Sequence, residues 1–220
     1  MGMIYFVSGI DTDAGKTVAV GLMARYLMKQ GVRVITAKLV QTGNDGFSED
    51  LLKHRTMMGI DAFEEDKEGL TAPQIFKFPA SPHLAAQLEG RRVDVDAIRN
   101  AMSQLATRYE VVLVEGAGGV AVPLTDALLT IDFVAQEKWP MILVTSGKLG
   151  SLNHTILSLE AAAHRHVLVA GIIYNYCASA HPLIDSDTPL MLGRWVDRLV
   201  KIPEVNFAAL PDIDFSTIFE

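Results

Sequence analysis

Six short, continuously apolar runs, at residues 4–8, 33–38, 111–115, 141–145, 169–174 and 205–210, constrain this chain more than any other feature. Strands that alternate apolar with polar residues leave one sheet face in water; runs without alternation belong to strands covered on both faces. Between the runs lie stretches of helical period at residues 16–30, 50–58, 95–108, 129–137, 151–164 and 190–200. Gly31 stands as a stop signal after the first, and Asp94 or Asp96 is placed to cap the third. Strand and helix in alternation predict an α/β chain with three layers, a mainly parallel sheet and helices on both faces. In such sheets ligands bind at the carboxyl ends of the strands, where the connecting loops gather.

Half of the 220 residues are hydrophobic and 20% are charged, which suits one large core and a single domain over 1–220. The net charge of −7 predicts no binding to nucleic acid or to anionic membranes, so an anionic ligand needs a local cationic pocket. Cys177 is the one cysteine, which excludes an internal disulfide and a cysteine-built metal site; it is expected to be a small packing residue. No apolar stretch nears the roughly 20 residues that span a bilayer, and the first residues carry no leader pattern, so the expected compartment is the cytoplasm. His164 and His166 lack a third ligand nearby, and the acidic segment 64–68 reads as a solvated loop.

The chemistry begins after the first run. Residues 9–17 read Gly-Ile-Asp-Thr-Asp-Ala-Gly-Lys-Thr, between a buried strand and an amphipathic helix. Gly15 lets backbone amides close on a phosphate, and the helix N-terminus adds donors and a positive dipole end. Lys16 would meet the β- and γ-phosphates and Thr17 would place its hydroxyl on Mg²⁺. Five residues separate Gly9 from Gly15, one more than in the usual P-loop spacing, with Ile10 where the first glycine would stand. Lys38 ends the second run, where a cation can neutralise charge that builds during phosphoryl transfer. The third run ends in Glu115-Gly116-Ala117-Gly118-Gly119, a carboxylate fixed on a rigid strand and followed by a glycine turn, as a metal ligand beside phosphates requires. Asn175 ends the fifth run with an amide able to pair with adenine's N6 and N7.

These motifs resemble those of the dethiobiotin synthetases, a P-loop NTPase family. The loop "GIDTDAGKT" is similar to the family's "GTDTxVGKT", Lys38 to Gly43 to its "KPVxSG", and "VEGAGG" is shared. Ser81-Pro82-His83 resembles the family's "SPH", which opens a helix lining the substrate site, and 148–154 resembles its "LGxxNH".

The resemblance implies ATP bound by Asp13, Ala14, Gly15, Lys16, Thr17 and Val18, by Glu115 to Gly118, and by Asn175, Tyr176, Pro211, Asp212 and Ile213. It implies Mg²⁺ on Thr17, Asp50 and Glu115, with Asp45 and Glu49 competing for the middle place. Lys16 and Lys38 would be the catalytic cations, Lys38 and Thr42 would contact the diamine or its carbamate, and Gly150, Ser151, Leu152 and Asn153 of a homodimer partner would hold the substrate carboxylate. The implied reaction is ring closure of 7,8-diaminononanoate with CO₂ to dethiobiotin, through a carbamate and a carbamic-phosphoric anhydride, giving ADP and phosphate.

Four positions depart from the family: Asp13 where many members carry glutamate, Tyr176, and Ala208-Ala209 where they carry Gly-Glu. Two alternatives share the loop. An amidoligase of the cobyrinic acid type needs a glutaminase domain with a cysteine nucleophile, and partition-type ATPases carry a lysine at the position of Asp11.

Overall fold

The structure is a computed structural model that describes residues 1–176 and 181–220, so Cys177 lies outside the described residues. The chain runs β1 (Met3–Gly9), α1 (Lys16–Lys29), β2 (Val34–Lys38), β3 (Gln41–Thr42), α2 (Glu49–Met58), α3 (Glu64–Lys67), β4 (Ile75–Phe76), α4 (Pro82–Leu88) and α5 (Val95–Arg108). It continues with β5 (Val111–Gly119), β6 (Pro123–Thr125), β7 (Leu128–Leu129), α6 (Thr130–Glu137), β8 (Met141–Ser146), α7 (Ser151–His164), β9 (Val169–Asn175), α8 (Pro182–Leu192), β10 (Leu199–Ile202) and α9 (Ser216–Phe219). Six strands pair in the order β10-β9-β8-β1-β5-β2, all parallel.

Alternate side chains of the apolar runs enter separate cores. Ile4, Phe6, Val112, Val114, Met141 and Leu143 pack with Ile98, Met102 and Leu105 of α5 and Phe133 of α6. Val7, Leu113, Ile142 and Val144 face the other way, onto Val20, Met23 and Leu27 of α1 and Met57 of α2. This is the expected three-layer arrangement, and it explains why the runs show no polar period. Among the described residues no helix is long and apolar enough to cross a membrane.

The last element pair differs from expectation. Residues 190–200 are not one helix: α8 starts at Pro182, ends at Leu192 with Gly193 as its C-cap, and Leu199–Ile202 forms the sixth strand instead. Residues 205–210 form no sheet strand, and Phe207 there is 60% exposed. The sixth strand is an edge with Lys201 turned outward, so its four residues alternate and escape a search for continuous runs.

The acidic segment 64–68 is not a solvated loop either. It forms α3, where Asp66 accepts from Arg55 Nε at 2.8 Å and Nη2 at 2.7 Å, and Glu65 accepts from Arg108. Burial alone would raise the Asp66 carboxyl, but bonds from Arg55 and Thr71 outweigh it and hold the group below its usual range. The third long helix is capped by Asp94, whose carboxylate accepts the Ala97 amide, and not by Asp96.

Leu113 is completely buried on the inner strand β5, between α1 and the sheet. Leu113→Ala is expected to lower the unfolding free energy by about 2–5 kcal/mol in urea titration, without changing the parallel sheet seen by circular dichroism.

Candidate active site

The strand order sets the site. The chain leaves β1 for the edge strand β2 and later returns to insert β5 between them. Register then places Val7 beside Glu115 and Glu115 beside Lys38, so a cation and a carboxylate end adjacent strands next to the loop that follows β1.

That loop is strained where it turns. Asp13 has φ 58° and Gly15 has φ 96°, both left-handed, which directs the backbone into the start of α1. A Cβ on Gly15 would lie 2.0 Å from Asn175 Nδ2, the amide that donates to the Ala14 carbonyl at 3.3 Å. Glycine is therefore required at position 15 twice, by conformation and by space. Lys16 is buried and its Nζ donates to the Asp11 carbonyl across the loop at 3.0 Å. Burial lowers the Lys16 pKa, an effect that the charge of Glu115 only partly offsets.

Next to the loop lies a cluster of opposed charges. Lys38 Nζ donates to Asp50 Oδ2 at 2.5 Å and to Glu115 Oε1 at 2.7 Å, with all three groups largely out of water. Burial alone would raise Glu115, but the Lys38 charge and the His54 hydrogen bond hold it far below the usual carboxylate range. Lys38 is the reverse case: burial alone would lower it, and the two carboxylates raise it above an ordinary lysine. The two lysines are thus tuned apart, Lys38 held as a cation by fixed carboxylates and Lys16 turned toward the loop.

Thr17 Oγ1 lies 3.0 Å from Glu115 Oε1 and 3.2 Å from Asp50 Oδ1. One hydroxyl hydrogen is shared among these three oxygens, so the set has acceptor capacity left for a cation. A hydroxyl and two carboxylates are hard oxygen donors, which fit Mg²⁺. The competitors for the middle place point elsewhere: Asp45 pairs with Lys77, and Glu49 is exposed with its amide on the Asn44 side chain. Asp50 also has no capping duty, because Ser48 is the N-cap of α2 and accepts the Leu51 amide.

These groups open into a cavity of about 900 Å³ lined by Asp13, Gly15, Lys16, Thr17, Val18, Lys38, Thr42, Asp50, Glu115, Ala117 and Gly118. Ser81 and Pro82, at the start of α4, and Val40, Gln41 and Pro79 extend it away from the loop. Of the remaining residues singled out from sequence, Ala14 is buried behind the loop and Gly116 packs on Phe6, where a Cβ would lie 2.6 Å from its ring.

Asn175 reaches the loop backbone, and the Tyr176 ring stands edge-on against Tyr174. Asp212 pairs with Lys29 on the outer side of α1, and Ile213 packs with Pro211's neighbour Leu210 on the α1 core. Phe207, and not 211–213, is what this segment contributes to the cavity wall. Gly150, with φ 94°, opens α7 with Ser151, Leu152 and Asn153, away from this chain's own cavity wall.

Sequence reading missed several members of the site, among them Lys53, Pro79 and Phe207 on the wall, and His54, fully buried behind Glu115. For His54 a signal was available, because it lies four residues after Asp50 and so shares its helix face.

Residues 4–206 match the model of a family described as an AAA domain. The chain is 46% identical to the ATP-dependent dethiobiotin synthetase BioD 2 of Pasteurella multocida (strain Pm70), over 90% of this chain and 93% of that one. It is 45% identical to the ATP-dependent dethiobiotin synthetase BioD of Chlorobaculum tepidum, over 98% of this chain and 88% of that one. The chain belongs to the dethiobiotin synthetase family.

Solved structures agree on the fold alone. The signal recognition particle receptor FtsY from Elizabethkingia anophelis superposes with a TM-score of 0.56 at 16% identity, over 100% of this chain and 64% of that chain. The structure of pNOB8 ParA bound to nonspecific DNA gives 0.56 at 12% identity, over 94% and 86%. A sheet shared with a ParA protein therefore accompanies the sequence of a dethiobiotin synthetase, an ATP-dependent ligase.

Two expectations follow for the loop. Gly15→Ala should weaken binding of a nonhydrolysable ATP analogue by at least about 10-fold in calorimetry, since strain at such a position costs on the order of 1–3 kcal/mol. The lowered Lys16 pKa makes analogue affinity fall as pH rises through the alkaline range below the ordinary lysine value, because phosphate favours the protonated amine. Calorimetry in two buffers of different ionisation heat should record proton uptake on binding across that range.

Proposed function

We propose that the chain carboxylates and closes 7,8-diaminononanoate with CO₂ and ATP, with Mg²⁺ held by Thr17, Asp50 and Glu115. The observation that carries the reading is the convergence of those three oxygens and Lys38 beside the Gly15–Lys16 turn, within one cavity. Mg²⁺ bound there supplies neutralisation of phosphate charge and fixes the orientation of the triphosphate.

The protein's own residues position and stabilise. Amides of the 13–17 turn and Lys16 hold the β- and γ-phosphates. Thr42, on the cavity wall after β2, offers its hydroxyl to a substrate amine, and the wall from Val40 to Pro82 takes the aliphatic chain. One amine captures CO₂ as a carbamate, whose oxygen takes the γ-phosphoryl group with loss of ADP. The second amine attacks the carbonyl carbon, the C–O bond to phosphate breaks, and a cyclic urea remains. Lys38, a cation fixed by its two carboxylates, offsets negative charge on the carbamate and the transferring phosphoryl oxygens. Substrate and ATP provide every bond-forming atom, so the site needs no protein nucleophile.

The substrate carboxylate needs an anion site of its own. The start of α7, at Gly150, Ser151, Leu152 and Asn153, offers free amides to an anion, and in a homodimer a second copy would supply it. On the nucleotide side, Asn175 beside the loop and the segment Pro211, Asp212 and Ile213 would contact the base, with Phe207 on the cavity wall.

The deciding assay follows phosphate release from MgATP and bicarbonate with and without 7,8-diaminononanoate, and dethiobiotin by mass spectrometry. Diamine-dependent release is expected; release indifferent to the diamine would overturn the reading. In the same assay Lys38→Gln should lower turnover by roughly 100-fold or more, a barrier rise of about 3 kcal/mol.

A further inference from the structure

Helix α2 buries a histidine and an arginine where an ordinary core helix would bury leucine. His54 is completely enclosed, with Nε2 2.9 Å from Glu115 Oε2 and Nδ1 3.0 Å from Thr36 Oγ1. Arg55 Nη1 donates to the same Thr36 hydroxyl, and Arg55 Nη2 donates to the Thr36 carbonyl at 3.1 Å. Burying this many polar groups is favourable only when their donors and acceptors match.

Hydrogen bookkeeping gives the network a direction. Arg55 can only donate, so the Thr36 oxygen accepts from it and keeps one hydrogen of its own to give. An ionised Glu115 can only accept, so the hydrogen between it and His54 belongs to Nε2. With the His54 ring neutral, the Thr36 hydroxyl directs its hydrogen at Nδ1. In that tautomer donation runs Arg55 to Thr36 to His54 to Glu115, with every donor matched to an acceptor. Arg55 itself is anchored by both oxygens of Asp66, so the chain of bonds is fixed at its far end.

The consequence falls on Glu115. The terminal torsion of a glutamate is broad and soft, so its strand position alone does not set the carboxylate plane. His54 occupies Oε2, which leaves Oε1 facing Thr17 and Lys38. We propose that His54 is a positioning residue for the metal site, which holds the Glu115 carboxylate so that one oxygen alone is presented beside Thr17 and Asp50. The inference rests on the Mg²⁺ reading of those oxygens.

The test exploits the two ring nitrogens. A glutamine amide reaches about as far as Nε2 and keeps an N–H for Glu115, whereas an asparagine amide reaches only about as far as Nδ1 and keeps the Thr36 contact. Mn²⁺ is titrated into wild type, His54→Gln and His54→Asn, each with a nonhydrolysable ATP analogue, and free Mn²⁺ is read by electron paramagnetic resonance. His54→Asn is expected to weaken Mn²⁺ binding by about 10- to 100-fold and His54→Gln by no more than about 3-fold, with the Mg²⁺ needed for half-maximal turnover moving in parallel.

Unchanged Mn²⁺ affinity in His54→Asn would overturn the role. So would an equal loss in both variants, which is the pattern of a merely structural histidine and would accompany equal drops in melting temperature. Absence of Mn²⁺ binding by the wild-type nucleotide complex would instead bring down the metal reading itself, and this inference with it.

Discussion

Glu115 is 1% exposed, and an ionised carboxylate that far from water is tolerable only when its charge is compensated and its lone pairs are used. Lys38 supplies the charge from the adjacent strand, Thr17 reaches it from the first turn of α1, and His54 reaches it from α2. Four elements of the fold therefore meet at one carboxylate. Each of them would leave an uncompensated group if displaced, so the same bonds that set the site also tie α1 and α2 to the middle of the sheet.

The sheet order turns this meeting into a catalytic arrangement. Inserting β5 between β1 and β2 brings the ends of three strands together in the order loop, carboxylate, lysine. A neighbour pairing of β1 with β2 would have put Lys38 next to the phosphate loop with no acid between them. The carboxylate holds the lysine charged and in place, while Lys16, whose pKa burial lowers, remains the cation nearer the turn. Opposed tuning of two lysines within one cavity suits a reaction in which one binds phosphate and the other meets charge as it develops.

Much of this was legible before any coordinates. The apolar runs at 4–8 and 111–115 announced strands covered on both faces because parallel strands must be, and Gly-Lys-Thr before a helix announced the phosphate turn because few other uses need that glycine. Asp50 was legible with competitors, and only the distances to Thr17 and Lys38 separated it from Asp45 and Glu49. The run at 205–210 misled, because five apolar or small residues around Asn206 mimic a buried strand, while Phe207 faces the cavity instead of a core. The acidic segment 64–68 misled in the other direction. Its carboxylates find Arg55 and Arg108, and arginines that distant in sequence leave no local trace.

The sequence by itself determined the layers, the phosphate turn and the family, since these depend on local periodicity, on one backbone conformation and on short motifs. The tertiary structure alone decided which oxygens converge, that Lys38 is shared by two acids, and that a histidine stands behind Glu115. Those facts depend on strand order and on residues separated by 12 to 98 positions along the chain. No local pattern encodes such distances, because the free energy that selects them comes from burying and matching polar groups across elements.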